Sequence, residues 1–380
     1  MKTTLKTATA LVALAASPAL AGDFAETHYT TPLADVCPSP LIIQKDWLAQ
    51  AEQGPIYQMI GAGGEMVSGQ YTGPLGSTGI DLTILEGGGG IGLGDGETAY
   101  SALFTGNSKA GVMPHLGYQE LDNAFIFSKR FPVTGIFAPL DAAPTSLFWD
   151  EATYPDGFSS IEDLAALEGT DAKIYVSTIK RTFGLYLAEN GVPSDLFVEG
   201  YRGDLENFVT NNGAWLNQGF VTSEPYKLEN GMNWAKPINA LLINDLGYGN
   251  YTGMLSVATS RMDELSPCFE KLVPIMQQAT VDYAKDPTEV NQLILEFLDA
   301  GMAVGWWTST PELMTYASET MVDLGILGNG SNETIGDFDM DRVASILEIV
   351  APQFDERADP EVTPGMIVTN KFIDPSIGLE

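Results

Sequence analysis

The sequence predicts an α/β protein with two lobes. Short apolar runs alternate with segments of helical periodicity, which is typical of a layered α/β fold. Removing a predicted leader at residues 1–21 leaves 359 of the 380 residues. A single hydrophobic core seldom grows to that size. A proline-bearing stretch at 138–155 interrupts the alternation, and we interpret it as a crossing between the lobes.

The N-terminus has the three parts of a secretory signal peptide. Lys2 and Lys6 are basic, residues 8–16 are almost entirely apolar, and an Ala-Leu-Ala triplet at 19–21 offers a cleavage site. The apolar part is shorter than the roughly 20 residues that span a bilayer. A buried N-terminal helix is the alternative. We expect residues 1–21 to be a signal peptide and the mature chain to be exported.

The chain is strongly acidic, with 50 acidic and 18 basic residues and a net charge of −32. The acidic residues are scattered, which indicates an acidic surface and not an acidic tail. Such a surface repels the phosphates of nucleic acids and of anionic lipids. We therefore expect no nucleic-acid partner.

Cysteine and histidine are scarce, with Cys37, Cys268, His28 and His115 making up the whole set. Their spacing is not that of a zinc site, and we expect no metal and no cofactor. In an oxidising compartment the two cysteines either form a disulfide or remain two buried thiols, and the sequence leaves both open.

Turn residues and periodicity predict the elements of the first part of the chain. Residues 61–79 are glycine-rich and predict a surface insertion or a hairpin. Helices are expected at 41–53, which contains Trp47, and at 97–104. Strands are expected at 28–33, 80–85, 109–113, 125–127 and 133–138.

The second part has clearer helix boundaries. Ser159-Ser160-Ile161-Glu162 resembles a capping box. A helix at 182–190 is closed by Gly191. Three further helices are expected to begin at Ser266-Pro267, Asp286-Pro287 and Asp339. The strands predicted here are 173–176, 216–222 and 240–243.

Three segments are candidates for a binding site, because ligands of open α/β sheets lie beyond the carboxyl ends of strands and at helix N-termini. They are the glycine-rich segment 87–98, the segment 177–182 with Lys180 and Arg181, and the aromatic segment 215–226. A flexible turn, a solvated helix cap and core packing are the respective alternatives. An arginine fork suits a carboxylate, sulfonate or phosphate.

These segments resemble the periplasmic binding proteins of ABC importers for thiamine-precursor pyrimidines, sulfonates such as taurine, and nitrate. Four runs carry the resemblance: LTILEGGGG with GETAYSALFTGNSKAGV, SIEDLAALEGTDAKIYVS, NNGAWLNQGFVTSEPYKLE, and INDLGYGNYTGMLSVATSRMDELSPCFEKLV. Together they cover about residues 80–300, and QGFVTSEPY is the most specific. The segment 54–79 and the tail beyond 301 depart from the family's pattern and could reshape its cleft.

The resemblance implies a type II fold of two lobes, each a mixed sheet flanked by helices, joined by two hinge crossings. Lobe 1 would be residues 23–140 and 252–380, and lobe 2 residues 141–251. The chain would work as a periplasmic monomer that closes on a small flat or anionic nutrient and delivers it to a membrane permease. An extracellular sensor is an alternative. The superfamily's thiamine-pyrimidine synthases use a cysteine-rich motif, so two distant cysteines argue against that enzyme activity.

The resemblance also implies where the ligand binds. Arg181 would grip an anionic group, Trp215 would stack on a flat ligand, and Thr222 and Glu224 would bond to amines, ring nitrogens or hydroxyls. Pyrimidines, aromatic acids and sulfonates are the ligand classes expected. The full set of expected ligand-binding residues is Ser39, Gly96, Glu97, Thr98, His115, Ser177, Thr178, Arg181, Trp215, Thr222 and Glu224.

Overall fold

The computed structural model describes residues 23–88, 97–106, 108, 111–180, 182–232, 234–301 and 307–380. The predicted signal peptide lies outside the described residues. No helix in these ranges is long and apolar enough to cross a membrane.

Two mixed sheets form the framework. The first contains β1 (Leu41–Gln44), β2 (Glu65–Val67), β3 (Gln70–Pro74), β4 (Asp81–Leu85), β5 (Leu116–Gln119), β6 (Val133–Phe137) and β12 (Met254–Ala258). The second contains β7 (Thr145–Asp150), β8 (Ile174–Val176), β9 (Phe197–Glu199), β10 (Leu216–Phe220) and β11 (Ile238–Leu242).

The two sheets have similar arrangements of parallel and antiparallel strands. In the first, the order is β2-β3-β4-β1-β5-β12-β6, with β4, β1 and β5 parallel and β12 antiparallel to both of its neighbours. In the second, the order is β11-β7-β10-β8-β9, with β10, β8 and β9 parallel and β7 antiparallel. In each sheet the strand that arrives from the other sheet, β12 in the first and β7 in the second, is antiparallel to both of its neighbours. The α/β fold of two mixed sheets joined by two crossings is therefore confirmed.

Helices flank both sheets, and the longest, α9, packs against α2 and β6 with a buried face that includes Phe269, Leu272 and Met276. The helices are α1 (Asp23–His28), α2 (Gly54–Gln58), α3 (Ala102–Thr105), α4 (Leu121–Ile126), α5 (Ile161–Ala165), α6 (Thr182–Glu189), α7 (Glu206–Thr210), α8 (Glu224–Asn230), α9 (Met262–Lys285), α10 (Thr288–Asp299), α11 (Pro311–Asp323), α12 (Met340–Val350) and α13 (Pro364–Ile367).

Several local predictions are confirmed. The segment 61–79 contains the β2–β3 hairpin, which pairs with β4 and extends the first sheet at its edge. Ser160 caps α5 by accepting a hydrogen bond from the Asp163 N–H. Asp339 caps α12 by accepting from the N–H groups of Asp341 and Arg342. In each case a short polar side chain satisfies the first N–H groups of the helix.

The predicted helix at 41–53 is wrong, because the segment begins with β1. All four residues of β1 are buried, since the strand lies between β4 and β5 with both faces covered. A strand buried on both faces shows no polar alternation, so its short apolar run resembles that of a helix.

Other boundaries also differ from the prediction. Residues 125–127 lie in or directly after α4 and not in a strand, and α1 ends at His28 where a strand was expected to begin. No strand occurs among the described residues of 109–113. Helix α9 begins at Met262, so Ser266-Pro267 lies inside it. The elements that were not predicted include the strands β5, β7, β9 and β12 and the helices α4, α7, α8, α11 and α13.

The chain passes between the sheets twice, after β6 and after β11. Arg342 of α12 holds both crossings together: its Nε donates to the Gly249 carbonyl at 2.9 Å, and its Nη1 donates to the Asp141 carboxylate at 3.2 Å. Its guanidinium also lies 3.6 Å from the centroid of the Tyr251 ring. The expected lobe boundaries at 140/141 and 251/252 fall within these crossings.

A disulfide joins Cys37 to Cys268 across a sequence separation of 231 residues, with the two Cα atoms 4.7 Å apart. It ties the segment before β1 to α9. Of the two alternatives that the sequence left open, the structure therefore has the disulfide.

We predict that the double variant Cys37→Ser/Cys268→Ser lowers the free energy of unfolding by about 3 kcal/mol, because the crosslink removes conformational freedom from a long loop of the unfolded chain. Thermal unfolding should show a loss of roughly 5 °C in Tm. The wild-type protein with reductant is the control and should match the double variant. Equal Tm values for all three samples would contradict the prediction.

Candidate functional site

A cavity of about 640 Å³ lies between the two sheets. Its walls come from the segments that follow the carboxyl ends of the parallel strands and from those that enter the antiparallel ones, as expected for open α/β sheets. The lining residues are Asp46, Trp47, Ala49–Gln53, Tyr118, Glu120, Pro139, Leu140, Pro144, Ser177, Tyr201–Gly203, Gln218–Phe220, Thr222–Glu224, Lys227, Thr252, Gly253, Trp307–Ser309, Leu313, Met314 and Ala317.

A buried ion pair supports the lobe 1 wall. Lys45 and Glu86 directly follow β1 and β4, both are fully buried, and the Lys45 ammonium contacts the Glu86 carboxylate. The other Glu86 oxygen accepts from the Ala49 N–H at 2.9 Å, and Lys45 Nζ donates to the Gln53 amide oxygen at 3.2 Å. Burial lowers the pKa of Lys45, and the Glu86 charge opposes this effect. The pair therefore fixes both ends of the loop 46–53 that lines the cavity.

Part of the glycine-rich segment 87–98 has a packing role. The Gly87 N–H donates to the Trp47 carbonyl at 3.0 Å, and the Gly88 N–H donates to the Asp46 carbonyl at 3.2 Å. A Cβ on Gly87 would lie 2.2 Å from the Trp47 backbone nitrogen. Glycine is needed here because two backbones approach closely. Residues 89–96 lie outside the described residues, so Gly96 is not placed.

A polar contact links the lobes inside the cavity. The Thr222 hydroxyl, after β10, donates a hydrogen bond to the Glu52 carboxylate, after β1. Glu224 accepts from the Phe220 N–H at 2.7 Å and from the Tyr201 hydroxyl at 3.2 Å. Burial raises the pKa of Glu52 and of Glu224, and the nearby Glu224 charge also raises the pKa of Glu52.

Aromatic rings form much of the remaining wall. Trp47 is 42% exposed, and its ring meets that of Trp307 edge to face at 5.9 Å between centroids. The Trp307 indole N–H donates to the Ala49 carbonyl at 3.0 Å, which ties the C-terminal segment to the lobe 1 loop. Tyr118, Tyr201 and Phe220 add three more rings. Flat apolar surfaces with a few fixed polar groups are suited to a small organic molecule.

The C-terminal segment closes one side of the cavity. The Tyr316 hydroxyl of α11 donates to the Val221 carbonyl at 3.1 Å, and the Tyr316 ring lies 5.0 Å from the Tyr226 ring of α8. The segment that contains Trp307 and α11 therefore contacts both lobes. The tail beyond residue 301, which departs from the pattern of the family that the sequence resembles, thus contributes Trp307 and α11 to the wall of the cavity.

Three of the expected binding residues line the cavity, namely Ser177, Thr222 and Glu224. Ser177 directly follows β8, and its N–H donates to the Gln218 amide oxygen at 2.8 Å. Thr222 and Glu224 follow β10. All three belong to segments that the sequence placed at the carboxyl ends of strands.

Three others lie at the opposite ends of their strands. Ser39 precedes β1 and lines a separate small pocket near Asp81. Trp215 directly precedes β10, whose five residues span about 17 Å, while the cavity lies beyond the other end. His115 precedes β5, and its Nδ1 accepts from the Ile42 N–H at 3.0 Å. Burial lowers the pKa of His115 to about 4, so the ring stays neutral at pH 7 and holds β1 against β5.

The segment 177–182 is occupied by one of the protein's own carboxylates. The Thr178 hydroxyl and the Ile179 N–H both donate to Glu199, at 2.9 and 2.8 Å, and these bonds lower the pKa of that carboxyl. Glu199 therefore takes the position in which an anionic ligand group was expected. Arg181 lies outside the described residues.

Glu97 and Thr98 form a turn that starts α3 and are not among the described residues that line the cavity. The Ser101 hydroxyl donates to the Glu97 carboxylate, and the Thr98 N–H donates to that hydroxyl at 2.8 Å. Their polar groups thus serve the local turn.

Sequence analysis missed Trp47, Glu52, Tyr118 and Trp307 as site residues. The first two were hidden by the mistaken helix at 41–53, since assigning 41–44 as a strand would have put residues 46–53 at its carboxyl end. Tyr118 was missed because β5 was not recognised. Trp307 was missed because its contacts with Trp47 and Ala49 join segments that lie far apart in the sequence.

Neither a protein-family model nor a curated protein matches the sequence. Solved structures do match. An ABC transporter protein from Parabacteroides distasonis is 8% identical, with 88% of this chain and 100% of that chain covered and a TM-score of 0.52. The zinc-bound ligand binding component of an ABC-type import system from Staphylococcus aureus is 9% identical, with 89% and 100% covered and a TM-score of 0.52.

The periplasmic aliphatic sulphonate binding protein of Escherichia coli is also similar, at 10% identity, with 85% of this chain and 91% of that chain covered and a TM-score of 0.51. At these identities the likeness concerns the fold alone. The chain thus has the two-lobe fold of the type II periplasmic binding proteins.

We predict that Lys45→Met lowers the free energy of unfolding by about 3–5 kcal/mol, because it leaves the buried Glu86 carboxylate without its counter-charge. The double variant Lys45→Met/Glu86→Gln should lose less than the sum of the two single variants. Denaturant titration measures both. Lys285→Met, at an exposed lysine that ends α9, is the control and should change stability by less than about 0.5 kcal/mol. Equal losses for Lys45→Met and the control would refute the role of the pair.

Proposed function

We propose that the chain is the solute-binding component of an ABC importer, which captures a small organic solute between its lobes and delivers it to a membrane permease. It would act in the periplasm as a monomer, after removal of residues 1–21. Its lobes would be residues 23–140 with 252–380, and residues 141–251.

One observation carries this proposal: the cavity of about 640 Å³ is walled by the ligand-binding ends of both sheets. A solute there contacts both lobes at once, so it favours the closed arrangement by its differential affinity for the two states. The volume lies in the range of small-molecule sites. The structural neighbours, which are components of ABC import systems, support the same role.

The residues that we propose to hold the solute differ in part from those expected from the sequence. Ser177, Thr222 and Glu224 keep their proposed roles, and Glu52, Tyr118, Trp47 and Trp307 join them. Trp47 takes over the stacking role first given to Trp215, because it is exposed to the cavity.

We predict that Trp47→Ala weakens binding about tenfold or more, since burying an aromatic side chain contributes roughly 1.5–3 kcal/mol. The test uses the tightest hit from a thermal-shift screen of pyrimidines, aromatic acids, sulfonates and amines, followed by calorimetric titration. Trp215→Ala is the matched control and should change the affinity less than twofold.

The opposite pattern, with Trp215→Ala impairing binding and Trp47→Ala harmless, would refute this placement of the site. Mass spectrometry of the ligand recovered after incubation should show it chemically unchanged. Conversion of the ligand would favour an enzyme on the same fold.

A further inference from the structure

The cavity carries an excess of negative charge. Among the described residues that line it, four are acidic and two are basic: Asp46, Glu52, Glu120, Glu224, Arg202 and Lys227. Of these residues, Arg202 is exposed to solvent, whereas Glu52 and Glu224 are buried. The inner part of the cavity is therefore the most acidic.

Two of these carboxylates, Glu52 and Glu224, come from opposite lobes and lie close enough for the charge of Glu224 to act on Glu52. Glu52 and Glu224 are each only 8% exposed, and within the described ranges neither forms an ion pair. Their hydrogen bonds come from the neutral donors Thr222, Tyr201 and the Phe220 N–H. Bringing two carboxylates together out of water is unfavourable unless a positive charge compensates for it.

Lys227 supplies only part of that compensation. Its charge lowers the pKa of both Glu52 and Glu224, but its ammonium lies 5.7 Å from the centroid of the Trp307 ring and is not paired with either carboxylate. One ammonium facing two carboxylates leaves a net negative charge between the lobes.

A second, independent feature points to a ligand at the same place. Tyr118 lines the cavity wall, and its buried hydroxyl has no hydrogen-bond partner among the described residues. Buried polar groups are normally satisfied, so a ligand group is the natural partner of this hydroxyl when the cavity is filled. The neighbouring charge of Asp46 contributes to the raised pKa of Tyr118, which places a carboxylate close to that hydroxyl.

The aromatic side chains of the cavity wall also favour a cationic ligand. Faces of tryptophan and tyrosine rings attract organic cations and offer apolar area to a flat body. A sulfonate or carboxylate would meet the negative faces of these rings as well as the carboxylates. A bare metal ion is less suited, because no group of three or more potential metal ligands occurs in the described part of the chain.

We propose that the solute is a small organic cation, an ammonium or amidinium group on a flat apolar body, whose charge lies between Glu52 and Glu224. This inference rests on the proposed function and names its ligand class. The cation supplies the charge that makes closure of the lobes on two carboxylates favourable. Binding and closure are thereby coupled through these two residues.

The test compares probes that share one aromatic body and differ in charge: benzylamine, benzyl alcohol and benzenesulfonate, with the corresponding pyridine and pyrimidine series. Thermal shift and calorimetric titration are performed on the full mature protein. The amines should bind about tenfold or more tightly than the matched alcohols, since a hydrogen bond to a charged group contributes more than a neutral one. The sulfonates should not bind.

Single variants test whether Glu52 and Glu224 are the carboxylates that bind the cation. Glu52→Gln and Glu224→Gln should each weaken amine binding about tenfold and change alcohol binding less than threefold. Glu312→Gln, at an exposed residue in the first turn of α11, is the matched control and should leave both unchanged.

Amine affinity should fall as the pH is lowered from 8 to 5. Burial raises the pKa of both carboxyls, so lowering the pH protonates them and removes the charge that attracts the cation. Lys227 is the cation that faces both carboxyls. Burial raises the pKa of Tyr283, which faces Glu52, and of Tyr201, which faces Glu224, so both phenols stay neutral throughout. The fall should be shallower in Glu52→Gln.

Two results would overturn the inference: sulfonates or alcohols that bind as tightly as the amines, or amine binding unaffected by Glu52→Gln and Glu224→Gln. Either result would leave the proposed function standing with another ligand class. If no probe of any charge shifts the melting temperature, the proposed function fails, and the inference fails with it.

Discussion

The ion pair between Lys45 and Glu86 is the contact on which the lobe 1 half of the cleft depends. Two parallel strands end side by side, and the first residue after each is a buried charge of opposite sign. The pair holds Ala49 and Gln53 and thereby the loop that presents Trp47 and Glu52. A buried pair is a weak source of net stability, so its value here lies in fixing the position of the loop.

In the proposed function, the cleft would couple solute capture to the relative position of the lobes. Glu52 and Thr222 join the lobes within the cavity, α11 contacts both lobes at its side, and Arg342 ties the two crossings together behind it. A solute in the cavity would lie beside the contact between Glu52 and Thr222. The acidic interior adds a selection by charge, because closure without a cation leaves two carboxylates facing each other.

The sequence predicted the fold class, the two crossings and most of the longer helices (α6, α9, α10 and α12, but not α11), since glycine stops, N-caps and helical periodicity are local signals. It failed at β1, where burial on both faces removes alternation, and that error hid the loop 46–53 that lines the cavity. Ser177, Thr222 and Glu224 were found because their strands were recognised. Trp215 does not line the cavity, because it precedes β10 and the cavity lies beyond the other end of that strand. Only the direction of the strand in the sheet shows which of its two ends faces the cavity. Contacts between distant segments, such as those of Trp307 and Glu199, have no local signature.

The most direct measurement of solute capture between the lobes is small-angle X-ray scattering of the mature protein during titration with its tightest ligand. We expect the radius of gyration to decrease to a plateau at saturation, because the ligand favours the closed arrangement. A scattering profile that is unchanged while calorimetry shows the site to be saturated would contradict the account, since binding would then occur without closure.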